Sequence, residues 1–496
     1  MAIDLDSYAA SAEEFLTALD REYHLHFSGQ KRDYEVERIY ERHAGLFDRE
    51  AVDGLRDAVA AAEGEPRRRA AHLLELAVSG YLGRACAAEE AALAAREAEL
   101  EIEVDGEAIA YRGAPIAQAN ESDPARRRRI EDARLAVLSE QLNPLHLRAL
   151  ERSHELIVGL GWPSYADAYA ELHGFDLREL GEQTAAFLEA TDGIYPDLIE
   201  PELRSVLGFG LDETRRADLA RFFRAPGLDA AFDGARLIPT FTEAMSGLGL
   251  DLDAQPNIIL DTEQRPTKTS RAYCAPVRVP QEVYLVVPRV GGREDFAALF
   301  HEGGHAQHYA NMDPGLPVEY RYLGDNSLTE SFAFLIEHIA ENPQLLSDAL
   351  AADPDPVAAH VRAVRLYFLR RYCAKLAYEL ELHGPAADLT RMPERYVELL
   401  GSATAIPWTA ESWLEDVDAG FYVAAYLRAW ALEARWRDAL RAQFGERWLR
   451  EPAAGRWLAG LWREGQRLSA DELLAATTGE ELRFDVLAGE FAPEPA

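Results

Sequence analysis

The sequence predicts a mainly α-helical protein with a small β-sheet next to a helix that carries candidate metal ligands. Apolar residues recur at helical spacings over most of the 496 residues. Three short runs rich in β-branched and aromatic residues, punctuated by proline, fall between residues 257 and 287. A His-Glu-x-x-His pattern then begins at His301. Because the helical segments dominate, we expect the sheet to be a local feature of a helical protein.

The first half of the chain is predicted to be helical. We expect helices between residues 33 and 100, between 123 and 160, and in several segments from 176 to 245. The stretch around Asp105-Gly106 is the exception, since polar and apolar residues alternate on both sides of this dipeptide. Such alternation about Asp-Gly is typical of a β-hairpin. The first half therefore predicts a bundle-like helical region with one small hairpin.

The composition shifts near Asp251, where the predicted sheet begins. The three β-branched runs span residues 257–261, 272–277 and 282–287. An edge strand beside a metal-binding helix could hold an extended peptide by backbone hydrogen bonds. The strands could instead serve only to support the helix, and the two roles are compatible.

His301, Glu302 and His305 form the His-Glu-x-x-His pattern. Residues four apart lie on one face of an α-helix, so the two imidazoles can face one metal ion. Zn²⁺ is the expected ion, because it binds neutral imidazole nitrogens and keeps a position open to water in three-ligand sites. Glu302 would then take a proton from that water, whose pKa the ion lowers. The alternative is a chance pairing of histidines on a surface helix.

Two glycines, Gly303 and Gly304, lie in the middle of this predicted helix. Each costs about 1 kcal/mol of helix stability relative to alanine. An apolar stripe of Phe296, Leu299 and Phe300 supports the helix in spite of this cost. We therefore expect another backbone or a substrate to pass close to the two glycines.

A site of this kind needs a third protein ligand, and Glu330 is the candidate. It lies 25 residues beyond His305, in a run that predicts a second helix ending before Pro343. Ser327 and Glu330 also fit a capping box, in which the glutamate would bind a backbone amide instead of a metal. Glu337 follows on the same face, either as a partner of a ligand histidine or as an ordinary solvated or core-paired carboxylate. The spacing alone leaves these alternatives open.

The run from Asp295 to His308 resembles the signature of the thimet oligopeptidase and oligoendopeptidase F metallopeptidases. That signature reads Asp-x-x-x-Leu-Phe-His-Glu-x-Gly-His-Ala-x-His, and every specified position is matched here. In the family, the third zinc ligand is a glutamate about this far downstream, and another glutamate follows seven positions later. Glu330 and Glu337 match these two positions. The resemblance covers roughly residues 255–440.

The resemblance implies a zinc peptidase with a mostly helical, two-lobed fold around a deep channel. On this basis we expect an N-terminal helical lobe at residues 1–250 and a catalytic zinc-peptidase lobe at residues 251–496.

A later stretch is similar to a second family motif, a histidine followed by Tyr-Asp-Ala-Gly-Tyr-Tyr-x-Tyr, whose histidine and tyrosines assist the transition state. Asp418, Ala419, Gly420 and Tyr422 match this motif. Tyr426 and Tyr422, four residues apart on one predicted helical face, are the available phenolic donors for an oxyanion. Either could instead be a core aromatic residue of a buried helix. The departures from the motif are Ser412 at the place of the histidine and Val417, Phe421 and Ala424 at those of tyrosines.

The formal net charge of −35 argues against several classes of partner. A strongly acidic surface disfavours binding to nucleic acid and to an anionic membrane. Cys86, Cys274 and Cys373 are odd in number and scattered, so no disulfide framework is predicted. The N-terminus lacks the basic and apolar regions of a signal peptide, and no apolar run is long enough to span a membrane. We therefore expect a cytoplasmic protein.

The motif and the resemblance together predict a zinc-dependent metallopeptidase that acts on oligopeptides. One Zn²⁺ held by His301, His305 and Glu330 would carry a water that Glu302 activates for hydrolysis of the peptide bond. Two alternatives stay open. The first is a dipeptidyl or C-terminal exopeptidase on the same scaffold, as in the related angiotensin-converting enzyme. The second is a non-catalytic gluzincin-like scaffold that binds peptides. The sequence indicates neither an oligomeric state nor a peptide preference.

Overall fold

The structure is a computed structural model that describes residues 3–288 and 291–492. Helices make up 69% and strands 5% of the chain, which confirms the predicted mainly α-helical class with small sheets. In the described part of the chain, no helix is both long enough and apolar enough to cross a membrane. The helices are α1 (Leu5–Phe27), α2 (Val36–Arg42), α3 (Arg49–Ala61), α4 (Gly64–Glu99), α5 (Ala114–Asn120), α6 (Pro124–Val137), α7 (Asn143–Gly159), α8 (Tyr165–His173), α9 (Leu177–Thr191), α10 (Tyr195–Leu207), α11 (Arg216–Arg224), α12 (Leu237–Gly247), α13 (Arg293–Ala310), α14 (Val318–Tyr322), α15 (Asn326–Ala340), α16 (Pro343–Leu350), α17 (Pro354–Leu382), α18 (Met392–Thr404), α19 (Tyr422–Phe444), α20 (Pro452–Trp462), α21 (Ala470–Thr478) and α22 (Val486–Gly489). The strands are β1 (Glu101–Val104), β2 (Glu107–Ala110), β3 (Ile258–Asp261), β4 (Tyr273–Arg278) and β5 (Glu282–Val286).

The chain divides into two compact units, and each unit is assembled from three segments. Three of the boundaries fall inside α4, α17 and α19, so these helices contribute to both units. The predicted lobes at residues 1–250 and 251–496 stay a prediction. The first unit consists of Met1–Tyr81, Leu228–Ala358 and Arg428–Arg483, and the second of Leu82–Gly227, Ala359–Leu427 and Phe484–Ala496.

In the first unit, a three-stranded sheet immediately precedes α13. The central strand β5 runs parallel to β3 and antiparallel to β4. Val283 and Leu285 of β5 are buried, as are Ala275 and Val277 of β4. In each pair the two residues are separated by one position, which is the period of a pleated strand with one buried face. The predicted small sheet next to the helix that carries the candidate metal ligands is therefore confirmed.

Helix α13 begins at Arg293 with acidic residues in its first turn. Asp295 in the first turn accepts a hydrogen bond from the amide of Gly291 at 2.7 Å, and a carboxylate in this position also stabilises the helix dipole. The apolar stripe of Phe296, Leu299 and Phe300 is fully buried. Burial of this stripe fixes which face of α13 points to the core and leaves the opposite face for the histidines.

The two helices that carry the candidate ligands, α13 and α15, touch through their backbones. A Cβ atom added to Gly304 would lie 2.6 Å from Cα of Ala333 and 2.7 Å from the carbonyl oxygen of Phe332, both in α15. Side-chain carbon atoms do not fit at such distances, so only glycine allows this packing. A Cβ atom on Gly303 would instead lie 2.4 Å from the ring of Phe241. The predicted close approach of another backbone is thus confirmed at Gly304.

Helix α15 is capped by Asp325, whose carboxylate accepts a hydrogen bond from the amide of Ser327 at 3.0 Å. The same carboxylate accepts from the amide of Ala470 at 2.9 Å and from the guanidinium of Arg428 at 3.2 Å. The alternative in which Ser327 and Glu330 form a capping box is therefore wrong. The N-cap residue of α15 is Asp325, two residues before Ser327. Glu330 lies further along the helix and is not part of this cap.

The second unit contains the hairpin predicted at Asp105-Gly106. Strands β1 and β2 pair antiparallel, and the two turn residues have φ angles of 57° and 83°. Positive φ at both central positions is what a tight two-residue hairpin turn requires. Elsewhere in this unit, Arg127 of α6 and Asp218 of α11 form a buried ion pair at 2.7 Å.

We predict that Gly304→Ala lowers the free energy of unfolding by about 1–3 kcal/mol, the usual cost of overpacking a core. The added methyl group would meet the backbone of α15 and force the two helices apart. Gly460 in α20 is the matched control, since an added Cβ meets no atom within 4 Å there. Gly460→Ala should raise stability by up to about 1 kcal/mol. Urea denaturation of the wild type and the two variants measures their free energies of unfolding. Equal values for Gly304→Ala and Gly460→Ala would contradict the prediction.

Candidate metal centre

Three side chains converge between α13 and α15. His301 and His305 project from successive turns of α13, and their ring centroids are 5.0 Å apart. Oε2 of Glu330, from α15, lies 3.4 Å from Nε2 of His301 and 3.6 Å from Nε2 of His305. One ligand atom from each residue lies within 4.8 Å of the other two. The structure therefore brings together the three residues that the sequence nominated as metal ligands.

The remaining ring nitrogens of both histidines have hydrogen-bond partners. Nδ1 of His301 lies 2.9 Å from Oε2 of Glu337, and Nδ1 of His305 lies 2.8 Å from Oγ1 of Thr329. Such partners orient the rings of metal-binding histidines and leave Nε2 as the ligand atom. Glu337 is thus the partner of a candidate ligand, the first of the two alternatives considered for it.

The donor set fits a zinc ion. Two imidazole nitrogens and one carboxylate oxygen are the ligands of many catalytic zinc sites. The exposed fractions of the side chains are 17% for His301, 13% for His305 and 5% for Glu330. The carboxylate is therefore anchored in the protein, whereas both imidazoles remain within reach of solvent and of a further ligand.

The two histidines differ in the direction of their pKa shifts. Burial lowers the pKa of His301, but the carboxylates of Glu330 and Glu337 outweigh burial and hold that pKa well above its usual value. Burial lowers the pKa of His305 to about 4, with Glu330 opposing the shift and His301 adding to it. The neighbouring carboxylates therefore favour the protonated form of His301, whereas burial favours the neutral form of His305. A metal ion bound through Nε2 of His301 would take the place of that proton.

Glu302, the predicted general base, is half-buried and is held by the sheet. Its Oε2 accepts a hydrogen bond from the backbone amide of Cys274 in β4 at 2.8 Å. Burial raises the pKa of Glu302 to about 7, against the opposing effects of His301 and of this hydrogen bond. A carboxylate with a pKa near neutrality is suited to take up a proton and release it again.

The edge of β4 next to Glu302 has few backbone N–H groups that could donate hydrogen bonds to a peptide. Cys274 already uses its amide on Glu302, and Pro276, the next residue that faces the same edge, has no N–H group. An extended peptide along this edge would bind mainly to carbonyl oxygens. The predicted role of the edge strand in substrate binding stays a prediction.

Three further residues near the candidate centre, Thr329, Tyr309 and Asp20, were not predicted from the sequence. Thr329 precedes Glu330, and Tyr309 lies four residues beyond His305, so helical spacing could have indicated both. Asp20 of α1 is an electrostatic neighbour of Cys274 and Tyr309, but it is nearly 300 positions away from the motif and no local pattern marks it.

Tyr422 and Tyr426, the predicted oxyanion donors, belong to the second unit and lie in the first turns of α19. Their rings are 5.0 Å apart, and the ring of Tyr426 packs edge-on against Tyr372 at 5.7 Å. Both side chains are half-buried. They share one helical face, as expected, and their role as donors stays a prediction.

The residues that match the second family motif have structural partners within the second unit. Asp418 pairs with the ammonium group of Lys375 at 2.9 Å, and its amide donates to Glu379 at 2.9 Å. The amide of Gly420 donates to the hydroxyl of Tyr165 at 3.0 Å, and its φ of 63° favours glycine. These contacts fix the segment that leads into α19.

No family model matches this chain, and no curated protein matches it significantly. The resemblance to the thimet oligopeptidase family therefore rests on the motif residues, and its functional implications are proposals.

We predict that Asp20→Asn stabilises the protein in a pH-dependent way. Burial raises the pKa of Asp20 from its usual 3.8 to about 7, so the folded state favours the protonated carboxyl group. Protonation of Asp20 therefore contributes to the stability of the folded state. This contribution is fully present below pH 3.8 and is lost as the pH rises through 7. The variant, neutral at every pH, should therefore gain most over the wild type above pH 7.

Thermal melts of wild type and Asp20→Asn between pH 4 and 9 test this expectation. Asp57, an exposed carboxylate of α3, provides the control variant Asp57→Asn, for which no such pH-dependent difference is expected. A difference in Tm between wild type and Asp20→Asn that does not grow with pH would contradict the assignment.

Proposed function

We propose that the protein is a zinc-dependent metallopeptidase that hydrolyses oligopeptides. The observation that supports this proposal is the convergence of Nε2 of His301 and His305 with Oε2 of Glu330, with Nδ1 of each ring bound to a protein group. Two oriented imidazoles and a buried carboxylate at this spacing suit a divalent cation of the zinc type. Glu302 beside them supplies the group that a hydrolytic reaction needs.

The proposed reaction is hydrolysis of an amide by one water molecule. His301, His305 and Glu330 would hold the zinc ion, which when bound acidifies water and polarises a carbonyl group. The carboxylate of Glu302 accepts one proton from the water as its oxygen adds to the carbonyl carbon of the substrate. Glu302 then delivers this proton to the amide nitrogen as the C–N bond breaks, so that an amine and a carboxylic acid leave.

The resting position of Glu302 suits this double role. Its hydrogen bond to the Cys274 amide fixes one carboxylate oxygen and leaves the other available for proton transfer. With a pKa of about 7, the group exchanges a proton with little free-energy cost in either direction.

The more detailed implications of the family resemblance are part of the same proposal. They are a two-lobed fold around a deep channel, cleavage within oligopeptides, assistance by Tyr422 or Tyr426, and a cytoplasmic location. Cys86, Cys274 and Cys373 are free thiols, which is in keeping with a reducing compartment.

One observation favours a different candidate function, a non-catalytic scaffold that binds peptides. The departures from the second family motif at Ser412, Val417 and Phe421 remove groups that assist the transition state in the family. The presence of Glu302 beside the three candidate ligands argues for catalysis. An exopeptidase on the same scaffold is the third candidate, and peptides blocked at both ends distinguish it, because only an endopeptidase cleaves them.

We predict that Glu302→Gln lowers kcat by about 10²–10⁴-fold, the usual contribution of general acid–base catalysis. Zinc content should stay near that of the wild type, because Glu302 is not one of the three ligands. Glu294→Gln is the matched control, since Glu294 is exposed in the first turn of the same helix. A quenched-fluorescence peptide library and metal analysis measure the two quantities. Wild-type kcat in Glu302→Gln would show that the general-base assignment is wrong, and inactivity of the wild type on all peptides would favour the scaffold.

We predict that Glu330→Gln abolishes the response of the protein to zinc. Excess zinc should raise the Tm of the chelator-treated wild type by mass action, because zinc binds the folded state. The variant lacks the anionic ligand, so its Tm should not respond, whereas Glu294→Gln should behave like the wild type. Differential scanning fluorimetry with and without zinc provides the measurement, and equal shifts in wild type and Glu330→Gln would exclude Glu330 as a ligand.

A further inference from the structure

Three aromatic residues, Tyr23, Phe27 and Tyr34, form an exposed aromatic surface at the C-terminal end of α1 and just beyond it. The ring centroids of Tyr23 and Phe27 are 4.4 Å apart, and those of Phe27 and Tyr34 are 5.6 Å apart. The exposed fraction is 38% for Tyr23 and 46% for Tyr34. Exposed apolar side chains that contact one another indicate a binding site, whereas scattered ones are ordinary. Among the described residues, the other exposed large apolar side chains lie on separate elements, and they are Ile116, Val158 and Ile259.

The aromatic surface is fixed to the beginning of β4. The Tyr273 hydroxyl donates a hydrogen bond to the carbonyl oxygen of His24 at 3.2 Å, and the Thr269 amide donates to the carbonyl oxygen of Phe27 at 2.9 Å. The ring of Tyr23 packs edge-on against the ring of Tyr273, with centroids 5.3 Å apart. All of these residues belong to the first unit. The position of the aromatic surface relative to β4 is therefore set by backbone contacts as well as by ring packing.

Tyr23 lies toward the outer edge of the sheet. The neighbouring residue in α1, His24, stacks on Tyr284 of the central strand β5, with ring centroids 3.7 Å apart. Tyr23 instead contacts Tyr273 of β4, which is an edge strand. The step from His24 to Tyr23 thus leads from the middle of the sheet to the outer edge of β4, where the Tyr23 ring is exposed.

The carboxylate of Glu302 lies at the same edge. It accepts its hydrogen bond from the amide of Cys274, the residue after Tyr273, and this amide points away from β5. These contacts limit the distance from the Tyr23 ring to the Glu302 carboxylate to no more than about 15 Å, which an extended peptide of about five residues covers. Burial, and after it the charge of Glu302, raises the pKa of Tyr23, in keeping with this proximity.

The aromatic surface suits an apolar side chain. The charged residues next to Tyr23 in α1 are engaged elsewhere, since Arg21 pairs with Glu282 at 2.9 Å and Glu22 with Lys31 at 2.7 Å. Aromatic rings stabilise a further ring that stacks on them, in addition to the gain from burying apolar area. Successive side chains of an extended peptide point to opposite faces of a sheet. A peptide along the outer edge of β4 would therefore direct alternate side chains to the α1 face and toward Tyr23.

We propose that the aromatic surface binds an aromatic or large aliphatic side chain of the peptide substrate, within about five residues of the bond that is cleaved. The inference rests on the proposed peptidase function and names its substrate class, oligopeptides that carry such a side chain at one defined position. Tyr23 is the residue of the aromatic surface nearest to β4, so it contributes most to this preference. It binds the substrate and takes no part in proton transfer.

A series of quenched peptides tests the proposal. All peptides share one sequence with serine at the varied positions, and a single phenylalanine is moved through about five positions on each side of the scissile bond. For the wild type we expect kcat/KM to be about tenfold higher with phenylalanine than with serine at one position. Tyr23→Ala should lower this ratio to about one, whereas Tyr23→Phe retains the ring and should keep the ratio. Mass spectrometry verifies that the same bond is cleaved in each peptide.

The matched control is Ile259→Ala, which removes an exposed apolar side chain from β3, the opposite edge strand of the same sheet. This control should keep the wild-type ratio. Both peptides are compared on one preparation of each variant, so a partly unfolded preparation lowers the two kcat/KM values together and leaves their ratio unchanged. A loss of the ratio in Tyr23→Ala therefore reports a loss of preference and not a loss of folded protein.

Binding provides a measurement that does not depend on turnover. Calorimetry with Glu302→Gln should show about tenfold tighter binding of the preferred phenylalanine peptide than of the serine peptide. The double variant with Tyr23→Ala should bind the two peptides equally.

The outcomes separate this inference from the proposed function. Equal kcat/KM values for the phenylalanine and serine peptides at every position, or a preference that Tyr23→Ala retains, overturn the role of the aromatic surface and leave the peptidase intact. A wild type that hydrolyses no peptide, but binds the phenylalanine peptide in a manner that depends on Tyr23, overturns the proposed function and supports the aromatic surface as a peptide-binding site. Absence of both hydrolysis and binding overturns the two proposals together.

Discussion

The backbone contact between α13 and α15 at Gly304 is the constraint on which the candidate centre depends. Gly304 immediately precedes His305, and the atoms it touches in α15 lie two and three residues after Glu330. The separation between the imidazoles and the carboxylate is thus determined by two helix backbones and not by the reach of flexible side chains. Close-packed helices deform little, so the packing of α13 against α15 holds the three candidate ligand atoms close together.

The charges around the centre follow from the same packing. The protein carries a net charge of −35, yet in this region the carboxylates of Glu330 and Glu337 have His301 as a cationic partner. Glu302 and Asp20, which burial keeps from ionising easily, both have pKa values of about 7. Burial raises both pKa values, and a divalent cation close to such carboxyl groups would stabilise their ionised form. Binding of the proposed cation between α13 and α15 would therefore also lower the proton affinity of Glu302.

Sequence reasoning succeeded where the relevant interactions are local. The hairpin at Asp105-Gly106 and the buried stripe of α13 depend on residues within a few positions of one another, and both are found as expected. The glycine pair indicated a close approach, but only the structure shows that the neighbour of Gly304 is another helix. A capping box at Ser327 was one of two alternatives from the sequence, but the cap of α15 is Asp325. Arg428 and Ala470, more than 100 residues away, also bind Asp325, and no local pattern indicates these contacts. Asp20 escaped notice for the same reason, since its neighbours in space are remote in the sequence.

The interleaving of the two units has a consequence for how the protein folds during synthesis. Both ligand-bearing helices have left the ribosome long before residues 428–483 are made, yet the Asp325 carboxylate that begins α15 binds Arg428, and Trp436 donates a hydrogen bond to Ser331 in the same helix. The growing chain must therefore keep these helices in an incomplete state until residues 428–483 emerge. Contacts of such long sequence separation slow folding, so the nascent chain would rely on its acidic character, or on chaperones, to avoid association in the meantime.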